Sequence, residues 1–145
     1  MRVPTDVLSM LKDYQSWAAG KSDFDLLDYV ACVATPDLFF GFGELFFPEV
    51  VLHDGNYFLA SDFRASTYNE WLVRLKDPIA VQKVMNHVHI STLIQQQVVP
   101  DLVALEVAKH LAACWSVSLA DKGLVAEAYG ETFEDLEVTF FRRAK

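Results

Sequence analysis

Residues 48–60, with the sequence PEVVLHDGNYFLA, decide the fold class of this chain. An Asp-Gly dipeptide at their centre lies between two runs of β-branched and aromatic residues, which is the strongest short-range signal for a β-hairpin. A two-residue turn there pairs Leu52 with Tyr57 and Val50 with Leu59, so that these side chains share one face. The stretch therefore predicts an antiparallel sheet in a chain whose other patterns are mostly helical.

The flanking sequence predicts several helices and two further strands. Helix starts are indicated by polar capping residues and by prolines in a first turn, and they lie at Thr5, Ser22, Thr67, Asp77 and Pro100-Asp101. Residues 124–129 and 136–141 are typical of strands. We therefore predict one α+β domain over residues 1–145, with an antiparallel sheet of about four strands and helices packed mainly on one face.

A phenylalanine-rich segment at residues 37–48, DLFFGFGELFFP, is harder to interpret. Its apolar density is too high for a solvated loop, whereas Gly41 and Gly43 argue against a regular helix. We predict a buried connector that is partly strand, with its phenylalanines in the core. The alternative is that the rings line an apolar pocket or a dimer interface.

Composition and charge indicate an acidic protein with a sizeable core. Hydrophobic residues make up 52% of the 145 residues, which excludes a disordered chain. Asp and Glu number 20 against 12 Lys and Arg, which gives a formal net charge of −8. Such a surface repels nucleic acid and anionic membranes, so we expect neither as a partner, and it favours cationic partners.

The cysteines and the apolar segments indicate a cytoplasmic protein. Cys32 and Cys114 lie far apart among apolar neighbours, so we expect free, buried thiols in a reducing compartment. The N-terminus lacks a basic region followed by an apolar signal core, and no apolar run approaches the length of a membrane span. We therefore expect a soluble protein of the cytoplasm.

The sequence contains no residue pattern of an enzyme active site. No G-x-S-x-G motif occurs, and the glycines at positions 41 and 43 do not form a phosphate-binding loop. Carboxylate pairs such as Glu44 with Glu49 flank turns, where solvated side chains are the usual finding. We therefore predict no catalytic residue and no cofactor, and a binding protein rather than an enzyme.

Residues 86–89, with the sequence NHVH, form the one notable polar cluster. In an extended backbone His87 and His89 share a face and could bind a divalent metal, whereas a helix would separate them. A metal needs further ligands, for which His53 is the third candidate and His110 or Glu44 are others. The alternative is a helix end, where Asn86 or a histidine binds the last carbonyls. We predict no metal here, because the rest of a ligand set is not apparent.

Three segments together resemble a group of small, uncharacterised bacterial proteins. They are FFPEVVLHDGNYFLA (46–60), VMNHVHI (84–90), and a helix ending in Trp115 that is followed by a terminal EVTFF (137–141). In that group a W/F-P-x-F-V-x-x-x-G-x-V-F-L hairpin precedes an N-H-V-H segment, and the similarity spans about two thirds of the chain. The resemblance implies no catalytic residues, and some similar acidic domains look like immunity proteins that neutralise a toxin. This chain departs from the pattern on both sides of Gly55.

We therefore expect a non-enzymatic domain that binds a protein partner, such as a basic toxin or effector. Two acidic clusters would steer the association; they are Asp23, Asp25 and Asp28, and Glu131, Glu134 and Asp135. One alternative is a small metal- or ligand-binding protein, or an enzyme, with a site near the histidines. Another is a homodimer that assembles through the phenylalanine-rich segment or an exposed sheet edge.

Overall fold

Eight helices and five strands make up the computed structural model, which describes residues 1–144. The helices are α1 (Thr5–Ser9), α2 (Lys12–Ala18), α3 (Leu26–Val33), α4 (Pro36–Phe46), α5 (Ala65–Leu75), α6 (Pro78–Met85), α7 (Ile90–Leu93) and α8 (Asp101–Ser118). The strands are β1 (Val50–His53), β2 (Asn56–Leu59), β3 (Val88–His89), β4 (Leu124–Tyr129) and β5 (Glu137–Arg142). The prediction of an α+β fold is confirmed.

The strands form two antiparallel sheets. The hairpin β1–β2 is the first, and its register of Val50 with Leu59 and Leu52 with Tyr57 is the predicted one. The second has the order β3-β5-β4. Where the sequence predicted one sheet of about four strands, five strands are therefore divided between a hairpin and a three-stranded sheet.

Helices cover both faces of the three-stranded sheet. The long helix α8 packs against the face that carries Val138 and Phe140, and the ring of Trp115 meets that of Phe140 edge-on at 5.6 Å. Helix α6 lies against the opposite face, where the Thr139 hydroxyl donates to the carbonyl of Lys83 at 2.8 Å. The main core therefore lies between α8 and the sheet, and α6 occupies the other side.

Two buried amide side chains of the α6 region join the two sheets. Among the described residues 1–144, strand β3 is paired only with Glu137 and Val138, and no strand lies beside the rest of β5 on that side. There the Asn86 amide donates to the carbonyl of Phe140 at 3.2 Å, and the Gln82 amide oxygen accepts from the N–H of Arg142 at 3.3 Å. Both side chains are 0% exposed, so side chains satisfy the groups that a strand would otherwise bind.

Several helix starts in the N-terminal half differ from the prediction. The single helix expected after Thr5 is broken into α1 and α2, and Thr5 is the first residue of α1 rather than its cap. Helix α3 begins at Leu26 rather than after Ser22, because Asp25 and Asp28 form a reciprocal capping box. Helix α5 begins at Ala65, before Thr67.

The prediction for residues 37–48 was wrong, because most of this segment is helical and exposed. Thr35 caps α4 by accepting from the N–H of Leu38 at 3.3 Å, and Pro36 occupies the first turn. These signals outweigh the two glycines, each of which costs about 1 kcal/mol in a helix. Phe39 and Phe40 are 70% and 71% exposed, and only Phe46 and Leu45 of α4 pack against the core.

The two cysteines are free, as predicted, but they are not both buried. Cys32 lies exposed on α3, and Cys114 is half-buried on α8. Within the described residues 1–144, no helix has both the length and the apolarity needed to cross a membrane.

Candidate functional site

Three half-buried side chains, those of His87, His89 and Glu137, meet where β3 pairs with β5. One nitrogen or oxygen atom from each side chain lies within 4.8 Å of the other two. His89 is directly opposite Glu137 in the ladder, and its Nε2 atom is 3.9 Å from a carboxylate oxygen. The imidazole rings of His87 and His89 are 4.9 Å apart and nearly perpendicular, at 84°. We refer to these three residues as the His-His-Glu cluster.

The end of α6 explains why the two imidazoles share a side. The N–H of Asn86 donates to the carbonyl of Gln82 at 2.9 Å, which completes the last turn of the helix. The chain then becomes extended and enters β3, so residues 87 and 89 point the same way. The two backbone arrangements considered from the sequence, an extended segment and a helix end, therefore both occur here, and one histidine also binds a helical carbonyl. That residue is His87, whose Nδ1 atom contacts the carbonyl oxygen of Val84.

This contact decides which nitrogen of His87 is free. A carbonyl oxygen can only accept, so Nδ1 carries the proton and donates it. In the neutral ring the lone pair is therefore on Nε2, where it can bind a metal or accept a hydrogen bond.

A shallow cavity of about 340 Å³ adjoins the His-His-Glu cluster. It is lined by Lys83, Val84, His87, Tyr129, Glu137 and Thr139. Tyr129 lies opposite Glu137 on β4, and its hydroxyl donates to the carboxylate of Glu127. Burial, together with that hydrogen bond, raises the pKa of Tyr129 above its ordinary value. The phenol therefore stays protonated at neutral pH and keeps its donor role.

The structure separates the third metal candidate, His53, from the other two. Its ring packs against Phe63 and Tyr68, at centroid distances of 5.0 and 4.8 Å, and its Nε2 atom is 3.7 Å from a carboxylate oxygen of Asp54. His110 is also elsewhere, on α8. Its Nδ1 atom donates to the carbonyl of Glu106 at 2.8 Å, and its buried Nε2 atom has no partner within the described residues.

Glu137 is the ligand candidate that sequence reasoning missed. The alternation along the last strand places Glu137 on the face opposite to Val138, but it does not say which strand lies beside it. Only the pairing of β3 with β5 brings Glu137 to His89.

The six acidic residues expected at a partner interface are all exposed, but three of them also hold local structure. The carboxylates of Asp25 and Asp28 each accept from the other residue's N–H, at 3.0 and 2.8 Å. The N–H of Asp28 also lowers the pKa of Asp25. Asp135 accepts from Glu131 and Thr132 in the β4–β5 connection. Asp23, Glu131 and Glu134 use their carboxylates in no such bond among the described residues.

A second candidate surface is formed by the consecutive helices α3 and α4. In the part of the chain that the structure describes, neither helix has a buried residue, although most of their side chains are apolar. The large apolar side chains exposed on residues 23–47 are Phe24, Leu27, Val30, Val33, Leu38, Phe39, Phe40, Phe42 and Phe47. We call these residues, with the carboxylates among them, the α3–α4 surface.

Comparison of the chain with protein-family models, with curated proteins and with solved structures finds no match. The resemblance to a group of small bacterial proteins stays a prediction.

Proposed function

We propose that this protein is a non-enzymatic binding domain that recognises a basic protein partner through its α3–α4 surface. The observation that carries the proposal is the absence of any buried residue on two consecutive apolar helices. A helix in a monomeric domain ordinarily has an apolar stripe that faces the core. Here the stripe faces outward, as expected of a surface that a partner covers.

The exposed side chains are of the kind that dominate protein interfaces. Leu27, Phe39, Phe40 and Phe47 are 77%, 70%, 71% and 70% exposed. Full burial of each such side chain is worth about 1.5–3 kcal/mol. Contiguous apolar patches with a polar rim mark interaction sites, and aromatic anchors contribute most of the binding energy. Burial of this surface would therefore supply a large driving force for association.

The charge of residues 22–63, which include the α3–α4 surface and the β1–β2 hairpin, selects the kind of partner. No lysine or arginine occurs between Lys21 and Arg64, whereas eight carboxylates do. Since the chain has 20 acidic and 12 basic residues, the rest of the sequence is balanced, and the net charge of −8 belongs to this segment. A second copy of the chain or an anionic membrane would be repelled. A protein surface with an apolar centre and a rim of lysine and arginine is complementary.

The acidic residues expected from the sequence fit this proposal unequally. Asp23, Asp25 and Asp28 lie at the start of α3, beside exposed apolar side chains. Glu131, Glu134 and Asp135 lie in the β4–β5 connection, which has no comparable apolar surface. We therefore assign the partner contact to the first cluster. A cationic toxin or effector is a partner of the required kind, and two free cysteines support a reducing cytoplasm as the location.

The test is to compare two double variants as baits in extracts of the native host. Phe39→Ser with Phe40→Ser alters the proposed surface. Val73→Ser with Val117→Ser is the matched control, because those valines are 74% and 78% exposed on other helices. Captured proteins are identified by mass spectrometry, and the affinity of the purified partner is measured by calorimetry at low and high salt.

We expect a basic partner whose affinity falls at least about 10-fold with the phenylalanine pair and about 2-fold or less with the valine pair. We also expect the affinity to fall as salt is raised. Equal binding by both variants, or an affinity indifferent to salt, would contradict the proposal. So would sedimentation showing a dimer of the chain that the phenylalanine changes dissociate.

A further inference from the structure

We propose that the His-His-Glu cluster binds one divalent first-row transition-metal ion, with Zn²⁺ as the best match to its donors. Two imidazoles and one carboxylate are the ligand set of many catalytic zinc sites and of non-haem iron sites. This site is separate from the α3–α4 surface and does not depend on the proposed function.

The ligand atoms are already close to the spacing that a metal requires. With bonds of about 2.1 Å, the ligands of one ion lie about 3–3.5 Å from one another. The three ligand atoms of the cluster lie within 4.8 Å of each other, and His89 and Glu137 are held by backbone pairing. Small side-chain rotations of half-buried residues would therefore complete the site.

The hydrogen bond of His87 prepares this residue as a ligand. Metal-bound histidines almost always donate their second ring N–H to a carbonyl or carboxylate, which fixes the tautomer and the ring orientation. The Nδ1 atom of His87 donates to the carbonyl of Val84 in this way, which leaves Nε2 for the metal.

A simple ion pair does not account for the whole cluster. Protonated His89 could pair with Glu137, whose carboxylate is 3.9 Å away. The ring of His87, however, lies 4.9 Å from that of His89, where two protonated imidazoles would repel each other. A metal ion would account for the meeting of two imidazoles and a carboxylate at one point.

Three protein ligands leave at least one coordination position open. The cavity beside Glu137 and His87 gives water, or the oxygen of a small molecule, access to that position. Lys83 lines the same cavity, and its ammonium group could bind an anionic oxygen ligand. The site therefore resembles an accessible centre rather than a closed structural one.

The test is a metal titration of the untagged, full-length protein with Cys32→Ser, which removes an exposed thiol that would itself bind zinc. Zn²⁺ binding is followed by calorimetry, and Co²⁺ binding by its visible absorption. His87→Ala, His89→Ala and Glu137→Gln are compared with His53→Ala. His53 is a matched control, because it is a half-buried histidine 3.7 Å from a carboxylate outside the cluster.

We expect one equivalent of Zn²⁺ and a loss of affinity of at least about 10-fold in each cluster variant. The His53 variant should bind within about 2-fold of its parent. Affinity should fall as the pH is lowered, since protons compete with the metal for the ligand atoms.

Equal affinities in all variants, or a loss with His53→Ala as large as that with His87→Ala, would overturn the proposal. If a cluster variant does not fold, NMR of the Cys32→Ser parent decides. One equivalent of Zn²⁺ must then shift the ring protons of His87 and His89 and leave those of His53 unchanged, and any other pattern refutes the site.

Discussion

Replacing Asn86 by alanine tests how the two sheets are held together. The Asn86 side chain accepts from the N–H of Leu59 at 3.0 Å and donates to the carbonyls of Tyr57 and Phe140 at 3.0 and 3.2 Å. The alternation of an antiparallel ladder directs these groups of Tyr57 and Leu59 away from β1. One amide therefore binds the outer edge of the hairpin and the unpaired part of β5.

The expected magnitude follows from these three bonds. A buried hydrogen bond contributes about 1 kcal/mol, and a buried backbone group left without a partner costs about 1–3 kcal/mol. Asn86→Ala removes three hydrogen bonds, which together contribute about 3 kcal/mol, and leaves the buried Leu59 N–H and the buried Phe140 carbonyl without this partner. We therefore expect the free energy of unfolding to fall by at least about 3 kcal/mol. That is a large part of the 5–15 kcal/mol that is typical of a folded domain.

The measurement is urea denaturation, followed by circular dichroism and by tryptophan fluorescence. Asn69→Ala is the matched control, because Asn69 is exposed on α5 and its replacement should change the stability by less than about 0.5 kcal/mol. A loss below about 1 kcal/mol for Asn86→Ala would show that this amide does not join the sheets.

Two further predictions concern the β4–β5 connection, and the first compares it with a glycine inside helix α4. Gly130 has a φ of 99°, and a Cβ atom there would lie 2.5 Å from the carbonyl oxygen of Asp135. Gly130→Ala should therefore lower the free energy of unfolding, measured by urea denaturation, by about 2–4 kcal/mol. A Cβ atom at Gly41 would meet no described atom within 4 Å outside its chain neighbours and the backbone of its own helix, so Gly41→Ala should raise the free energy of unfolding by about 0.5–1 kcal/mol. Equal changes of stability in the two glycine variants would refute this expectation. The N–H groups of Thr132 and Glu131 lower the pKa of Asp135. Because the folded-state pKa is lowered, the ionised carboxylate stabilises the folded protein at pH values above the unfolded-state pKa of about 3.9. This stabilisation is lost as the pH falls through the folded-state pKa. Asp135→Asn should therefore lower the Tm at pH 7 and have little effect near pH 2, and an equal change at both pH values would contradict this.

Several elements could be predicted because their signals are local. The Asp-Gly turn fixes the hairpin register through the backbone conformation of two residues. Asp77 and Pro78 start α6 as predicted, and Asp77 accepts from the N–H of Ile79 at 3.0 Å. In each case a few adjacent residues decide the outcome without help from distant contacts.

The phenylalanine-rich segment is one whose exposure local sequence signals could not predict. Its helix could have been recognised from Thr35 and Pro36, which are a cap and a first-turn proline. Its exposure could not, since an apolar sequence has the same composition whether it faces a core or a partner. One sequence signal was overlooked, namely the concentration of the net charge between Lys21 and Arg64.

The sequence by itself therefore determined the α+β class, the hairpin, and the starts of α6 and α8, because these depend on neighbouring residues and on hydrophobic periodicity. Tertiary structure alone decided that β5 pairs with β3, and so that Glu137 reaches His89 and His87. It also decided that α3 and α4 face outward, and that the Asn86 amide takes the place of a strand between the sheets. Such outcomes depend on contacts between backbone groups and apolar faces that are distant in the sequence, and no short stretch of residues determines those contacts.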